Sequence, residues 1–235
     1  MRALASAAVL IVGLGLAPTD ASAEVPLPSF ETHQGIEAWL AVNAHIERAS
    51  SIRAQADPDR SPQRAAELRR TADAELRLAV DTASAYETQV RPTSGLAYLK
   101  GLSWRLLEEP ERAKVEWQRS IELDPVGAID AYHDLGELLM TQKDWTGAEA
   151  AFKKVSEGVP DGPQAWRGPL RLAEVAAWQG DKRGLETWLT EALRRGYQMT
   201  WIKNEPQWKV FYADERLRRT VEKMVVVYGE RSLLE

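Results

Sequence analysis

The sequence predicts an all-α solenoid built from stacked helical hairpins, and three observations predict it. Two stretches of the chain superimpose at an offset of 35, placing Gly101 on Gly136, Ala113 on Ala148, Trp117 on Phe152 and Pro125 on Pro160. Glu109, an acid just ahead of a helix, falls on Asp144 in the same register. Between these markers the apolar residues keep helical spacing, as in Leu96, Leu99, Leu102 and Leu106. A recurrence of this length marks a repeat array, whose units bury their apolar faces only by stacking.

Each marker has a physical reason. Gly101 and Gly136 lie mid-helix, where glycine costs about 1 kcal/mol against alanine. That cost is acceptable where another helix passes close. Ala113 and Ala148, on the second helix of each pair, are expected to meet those glycines so that the two helices nest. Trp117 and Phe152 come one turn later and are expected to fill the gap to the next hairpin. Pro125 and Pro160 end the second helices and open the turn into the next unit.

In chain order, residues 1–23 read as a secretory signal peptide. Arg2 is the positive start, Ala3 to Leu16 is uncharged, Pro18 breaks the run, and Ala21-Ser22-Ala23 is a small-residue cleavage site ahead of Glu24. The run is shorter than the roughly 20 residues that span a bilayer. The expected destination is the periplasm or the exterior, with an uncleaved anchor as the other reading. The chain has no Cys, so a lipid-anchored cysteine, disulfides and cysteine metal sites are all excluded.

Residues 24–93 predict an N-terminal helical hairpin that covers the open face of the first repeat. Thr32 can cap a helix to about Ala56 with Ile36, Trp39, Leu40, Ile46, Ala49 and Ile52 as its apolar positions. After a turn with Pro58 and Pro62, Ser61 is the expected N-cap of a second helix running to about Val90. Residues 94–196 hold three hairpins. Ser94 is the expected cap of the first, and Pro110 opens its second helix. Asp144 caps the second helix of the next hairpin. The third copy is weaker, at an offset of 37 that places Ala173 on Gly136, Asp181 on Asp144, Leu189 on Phe152 and Ala192 on Val155. Leu185 replaces the small Ala148 there, and Pro169 stands where Tyr132 did. Residues 197–235 form a tail in which Trp201, Trp208 and Phe211 are expected to plug the last hairpin, and a helix from about Asp214 to Tyr228 to finish the cap.

The spacings inside each copy resemble the tetratricopeptide repeat, a helix–turn–helix unit. Ile121-Glu122-Leu123-Asp124-Pro125 closely resembles the end of such a unit, and Gly196-Tyr197, Glu205-Pro206 and Asp214-Glu215-Arg216 resemble a tail found after many bacterial arrays. The resemblance spans about Ser94 to Leu217 and implies a right-handed solenoid with a concave groove lined by the first helix of each unit. It also implies a protein or peptide partner in that groove. Carried over position by position, the groove residues are Tyr98, Leu102 and Arg105 from the first unit. Asp130, His133, Glu137 and Met140 come from the second, and Arg167, Leu170, Glu174 and Trp178 from the third. The Lys and Asn clamp used by members that hold a C-terminal carboxylate is not matched.

Other chemistry finds little footing. The three histidines, His33, His45 and His133, have no metal-ligand spacing, and no phosphate loop or nucleophile elbow is present. No cofactor or metal is expected, and no enzyme activity. A net charge of −5 argues against a general nucleic-acid binder. Acids dominate from Glu108 to Glu137 and bases from Arg194 to Lys223, so the groove is expected to favour a partner carrying Lys or Arg. The expected function is a non-enzymatic adaptor of the bacterial envelope. The alternatives are a self-associating structural subunit built on the long N-terminal hairpin, or a glycan-binding accessory protein using an aromatic groove. Of the nine Trp, Trp104, Trp117, Trp188, Trp201 and Trp208 read as core.

Overall fold

The computed structural model describes residues 33–197 and 214–228. The helices are α1 (His33–Ala54), α2 (Pro62–Gln89), α3 (Ser94–Leu106), α4 (Pro110–Leu123), α5 (Ile129–Thr141), α6 (Trp145–Gly158), α7 (Arg167–Trp178), α8 (Lys182–Arg194) and α9 (Glu215–Tyr228). No strand occurs among the described residues. Consecutive helices pair as hairpins, each hairpin packs on the next, and α9 packs on α8. The proposed signal peptide, the Thr32 cap and the plug residues Trp201, Trp208 and Phe211 lie outside the described residues.

The backbone carries the repeat more sharply than the side chains do. Glu108, Lys143 and Gly180 occupy the same place in three turns, and all are left-handed, at φ 62°, 60° and 70°. The next residue closes each turn in the same way. The N–H of Glu109 donates to Trp104 O at 2.9 Å, that of Asp144 to Leu139 O at 2.9 Å, and that of Asp181 to Ala176 O at 2.8 Å. The third hairpin is therefore geometrically equivalent to the other two, although only its turn uses glycine, the residue suited to positive φ.

The caps follow the expected pattern in part. Asp144 accepts from Gly147 N at 2.9 Å, and Asp181 from Arg183 N at 3.1 Å. Glu109 makes no cap bond and pairs with Arg112 instead. Ser61 precedes α2 without a side-chain cap bond. Thr93, not Ser94, caps α3, because the chain is still extended at Thr93 and its hydroxyl accepts from Leu96 N at 3.3 Å. Ser94 does other work. Its hydroxyl donates to Ser120 O at 2.9 Å while the Ser120 hydroxyl donates to Ser94 O at 2.9 Å, clasping the two ends of the hairpin.

The repeat glycines also act differently from expectation. Ala113 and Ala148 are fully buried, but they are not what the glycines meet. The nearest atoms to a Cβ built on Gly101 belong to the Trp117 indole, and those nearest a Cβ on Gly136 belong to the Phe152 ring, at 2.6 Å. Each glycine makes room for the aromatic ring of its own hairpin. The third hairpin solves the same problem with Ala173 and Leu189, both at 0% exposure.

Three contiguous cores run along the solenoid. In the first, Trp39, Val42, Ile46 and Ala49 of α1 and Leu76 of α2 pack with Leu96 and Leu99 of α3, so the N-terminal hairpin covers the first face of the array. The apolar stripe of α1 is rotated from the expected one. Val42 is buried, while Ile36 and Leu40 are each 43% exposed. The middle core joins Trp117, Leu135 and Phe152 with Leu172 and Val175 of α7. The last places Leu217, Val221, Met224 and Val225 of α9 against Leu185 and Leu189 of α8. An amphipathic terminal helix of this kind is what a stack needs to end without an apolar face. Trp104 and Trp188 are partly buried against the middle core.

Two charged clusters lock neighbouring units. Lys100 of α3 is buried and lies 3.2 Å from Glu87 of α2 and 2.8 Å from Glu116 of α4, and Arg119 also reaches Glu87 at 3.1 Å. Further on, Arg195 donates to Ser156 O at 2.8 Å and Val159 O at 3.2 Å, pinning the end of α6 to the end of α8. Glu191 holds Arg194 and Arg195 at 2.6 and 2.7 Å. Hydrogen bonds from these two arginines lower the Glu191 carboxyl from 4.5 to about 2. The folded protein thus keeps this group ionised to lower pH than the unfolded chain does. Its contribution to stability is full above about pH 4.5 and is lost as pH falls from there through about 2. Glu191→Gln should flatten that part of the stability–pH curve, measured by urea unfolding at stepped pH.

Candidate functional site

The first helices of the three hairpins, α3, α5 and α7, present one polar face. The offset of 35 aligns Tyr98 with His133, Leu102 with Glu137 and Arg105 with Met140. The offset of 37 aligns Asp130 with Arg167, His133 with Leu170 and Glu137 with Glu174. It aligns Met140 with Ala177, so Trp178 falls one residue away from this row.

A chain of contacts crosses all three helices. The Tyr98 hydroxyl donates to Asp134 Oδ2 at 3.2 Å, joining α3 to α5. Asp134 Oδ1 lies 3.2 Å from His133 Nδ1. Arg167 Nη2 lies 3.4 Å from His133 Nε2, joining α5 to α7. A second link runs from Glu137 Oε1 to Arg171 Nε at 2.7 Å, and Arg171 Nη1 meets Glu174 Oε2 at 2.5 Å. The His133 ring also sets its edge on Phe152, with centroids 5.9 Å apart.

The structure therefore brings Tyr98, His133, Glu137, Arg167 and Glu174 together. It adds Asp134 and Arg171, which the positional carry-over missed. Their signal was present as opposite charges at neighbouring positions on successive first helices, Glu137 against Arg171 above all. Other expected groove residues have different roles. Leu170 is buried at 7% exposure in the last core, so it offers no groove surface. Leu102 and Met140 are partly buried and pack on the first and middle cores, so Met140 does have a core role. Arg105 is exposed near the end of α3. Trp178 is 55% exposed and stacks on Trp145 of α6, with centroids 5.7 Å apart and planes 11° from parallel. It sits at the turn edge of the solenoid and takes no part in the contact chain.

The electrostatics are those of a partly desolvated wall. Burial raises the Tyr98 hydroxyl well above the usual tyrosine range, and Asp134 and Asp130 push it further. Burial also raises the Glu174 carboxyl, against the pull of Arg171. Arg171 stays charged because Glu174 and Glu137 outweigh its own burial. Asp130 is the exception in this set. It keeps exposed surface, yet the protein packed around its carboxyl and then Asp134 raise it, against the pull of Arg167 and His133. Among the described residues Asp130 is in no ion pair, whereas Asp134, Glu137 and Glu174 are all engaged. Nor does any group of three His, Asp or Glu there have the arrangement of a metal site.

Comparison with known proteins agrees on the architecture. A tetratricopeptide repeat protein from Parabacteroides merdae is similar over 83% of this chain and 78% of its own, at TM-score 0.50 and 15% identity. The crystal structure of MamA protein is similar over 66% of this chain and 91% of its own, at TM-score 0.46 and 16% identity. A Pseudomonas aeruginosa protein, pilF, is similar over 74% and 82%, at TM-score 0.45 and 16% identity. No protein-family model and no curated protein matches the chain. The turns, the glycine–aromatic pairs and the stacked hairpins give the described residues a tetratricopeptide-like solenoid fold.

Proposed function

We infer that the chain is a non-enzymatic adaptor of the bacterial envelope that holds a protein or peptide segment along the face of α3, α5 and α7. The observation that carries this reading is the contact chain from Tyr98 to Glu174. It fixes the side chains of three successive units into one surface and leaves the Asp130 carboxylate open beside it. A fixed polar surface lowers the ordering cost of binding an extended segment. A carboxylate outside the ion pairs described, on a partly desolvated wall, favours Lys or Arg in the partner. The export part of the reading rests on Arg2, the run Ala3 to Leu16 and Ala21-Ser22-Ala23. No helix among the described residues is long and apolar enough to cross a membrane.

A photo-crosslinking amino acid at Arg105, exposed on α3 in the same row, compared with one at Val115, tests the face directly and leaves the Asp130 carboxylate in place. Val115 is 61% exposed on α4, a second helix outside this surface. Crosslinking in envelope fractions should yield a discrete adduct from position 105 and none from position 115. The reverse pattern would move the site off this face. A second reading, self-association through the N-terminal hairpin, is favoured by Ile36 and Leu40, which lie one turn apart and exposed on α1. Concentration-dependent light scattering that is abolished by Ile36→Glu would support it.

A further inference from the structure

We propose that His133 is a pH-operated latch between the second and third hairpins, closed when the imidazole is neutral and open when it is protonated. The hydrogen-bond pattern assigns the closed state. A guanidinium can only donate, so Arg167 Nη2 at 3.4 Å requires a lone pair on His133 Nε2. The proton of the neutral ring then sits on Nδ1, where it donates to Asp134 Oδ1 at 3.2 Å. One ring thus joins α5 to α7 and, through Asp134 and Tyr98, to α3. Protonation removes the acceptor. Nε2–H and the Arg167 guanidinium then face each other as two donors with like charge, and the carboxylate described near Nε2 is Glu137, 3.9 Å away and already paired with Arg171. Arg167 then loses its contact with the ring and stays held by Gln164 Oε1, to which its Nη1 donates at 2.9 Å.

The groups around the ring fit this two-state behaviour. Asp130, Asp134 and Glu137 face it from its own helix, Tyr98 acts from α3 through Asp134, Arg167 and Glu174 face it from α7, and Arg171 of α7 acts through Glu137. From α6 it meets the uncharged Phe152 edge. Because the Arg167 guanidinium can only donate, the neutral ring is the form that closes the contact. The ring keeps 12% of its side-chain surface, enough to exchange a proton without leaving its place. Histidine charges between about pH 5 and 8, so the latch works in the range an exported protein meets.

The latch is tested by nitrogen NMR of the full-length protein from pH 8 to 5, with no partner needed. The expected result at pH 8 is a protonated Nδ1 and an unprotonated Nε2. The Arg167 side-chain signals should then move with the same midpoint as the His133 ring. In His133→Gln, whose amide oxygen accepts at every pH, the Arg167 signals should stop moving. The proposal is overturned by an Nε2–H ring at pH 8, by a ring that does not titrate in this window, or by Arg167 signals that ignore it. The wild-type spectra alone decide this if the variant fails to fold. One consequence does rest on the partner-binding reading: a cationic segment should bind more weakly at pH 5.5 than at pH 8, and His133→Gln should lose that part of the difference. Failure there with an intact NMR result would count against the partner reading and leave the latch standing.

Discussion

Replacing Lys100 with methionine is expected to cost the protein about 3–5 kcal/mol, the usual result of stripping one partner from a buried ion pair. Lys100 has 8% of its side chain exposed, and its two carboxylate partners, Glu87 and Glu116, have 7% and 15%. Methionine fills the space of the alkyl stem but leaves both carboxylates facing one another out of water. Arg119 still reaches them from the partly exposed side, which puts the loss at the lower end of the range. Because Glu87 lies on α2, Lys100 on α3 and Glu116 on α4, the damage should fall on the joint between the N-terminal hairpin and the first repeat. Urea unfolding should show the drop, and hydrogen exchange should place it in α2 and α3. Adding Glu87→Gln and Glu116→Gln should recover much of the loss. An unchanged midpoint for Lys100→Met would mean that the cluster is solvated rather than buried.

Gly136→Leu should lower stability by about 1–3 kcal/mol or more, the range for overpacking a filled core. A Cβ at this position alone would come within 2.6 Å of the Phe152 ring. The third hairpin indicates the remedy, since Ala173 and Leu189 occupy the equivalent places there. Gly136→Ala combined with Phe152→Leu should therefore be far less harmful than Gly136→Leu, with thermal unfolding as the measurement. Equal melting temperatures for Gly136→Leu and the wild type would remove the glycine–aromatic pairing as a structural element.

Much of the fold was legible because the repeat repeats its exceptions. A mid-helix glycine, an aromatic residue and a proline in fixed order are rare enough to set a register. What they touch was less legible. Gly136 and Ala148 looked like partners because both are small, whereas the glycine in fact accommodates the ring of Phe152. The third hairpin was the hardest to see, since Ala173 with Leu189 meets the same volume requirement by a different division. Its equivalence lies in the left-handed turn at Gly180, matched by Glu108 and Lys143, where residue type does not reveal the backbone angle. The rotated stripe of α1 has a similar cause. That helix is apolar on more than one face, so spacing alone could not choose between Val42 and Leu40.

The candidate face was legible as a row of positions but not as a set of contacts. Carry-over named Leu170 and Met140, which the packing draws into the core, and Trp178, which the offset of 37 places one residue off the row. It passed over Asp134 and Arg171, because a charge on a helix reads as a solvated residue until the opposite charge on the next unit is seen beside it. These contacts also change the experiment to be done. Replacing His133, Glu137 and Met140 together by alanine would disturb the Phe152 contact, the Arg171 ion pair and the middle core at once.

Asp130 is less entangled, being exposed and outside the ion pairs described, although Asp134, Arg167 and His133 act on its carboxyl through space. The most direct measurement is the affinity of the full-length protein and its Asp130→Asn variant for the segment crosslinked from position 105, at low and high salt. Asp130 is the acid in the first turn of α5, so circular dichroism should first show that both proteins are folded at the temperature of the measurement. The account predicts that the wild type binds more tightly and weakens as salt rises, since an exposed charge contact is screened within about 10 Å at 0.1 M. It also predicts that the variant loses most of the affinity at low salt. Equal affinity for both proteins at both salt concentrations would contradict the account and direct attention to the exposed Ile36 and Leu40 of α1.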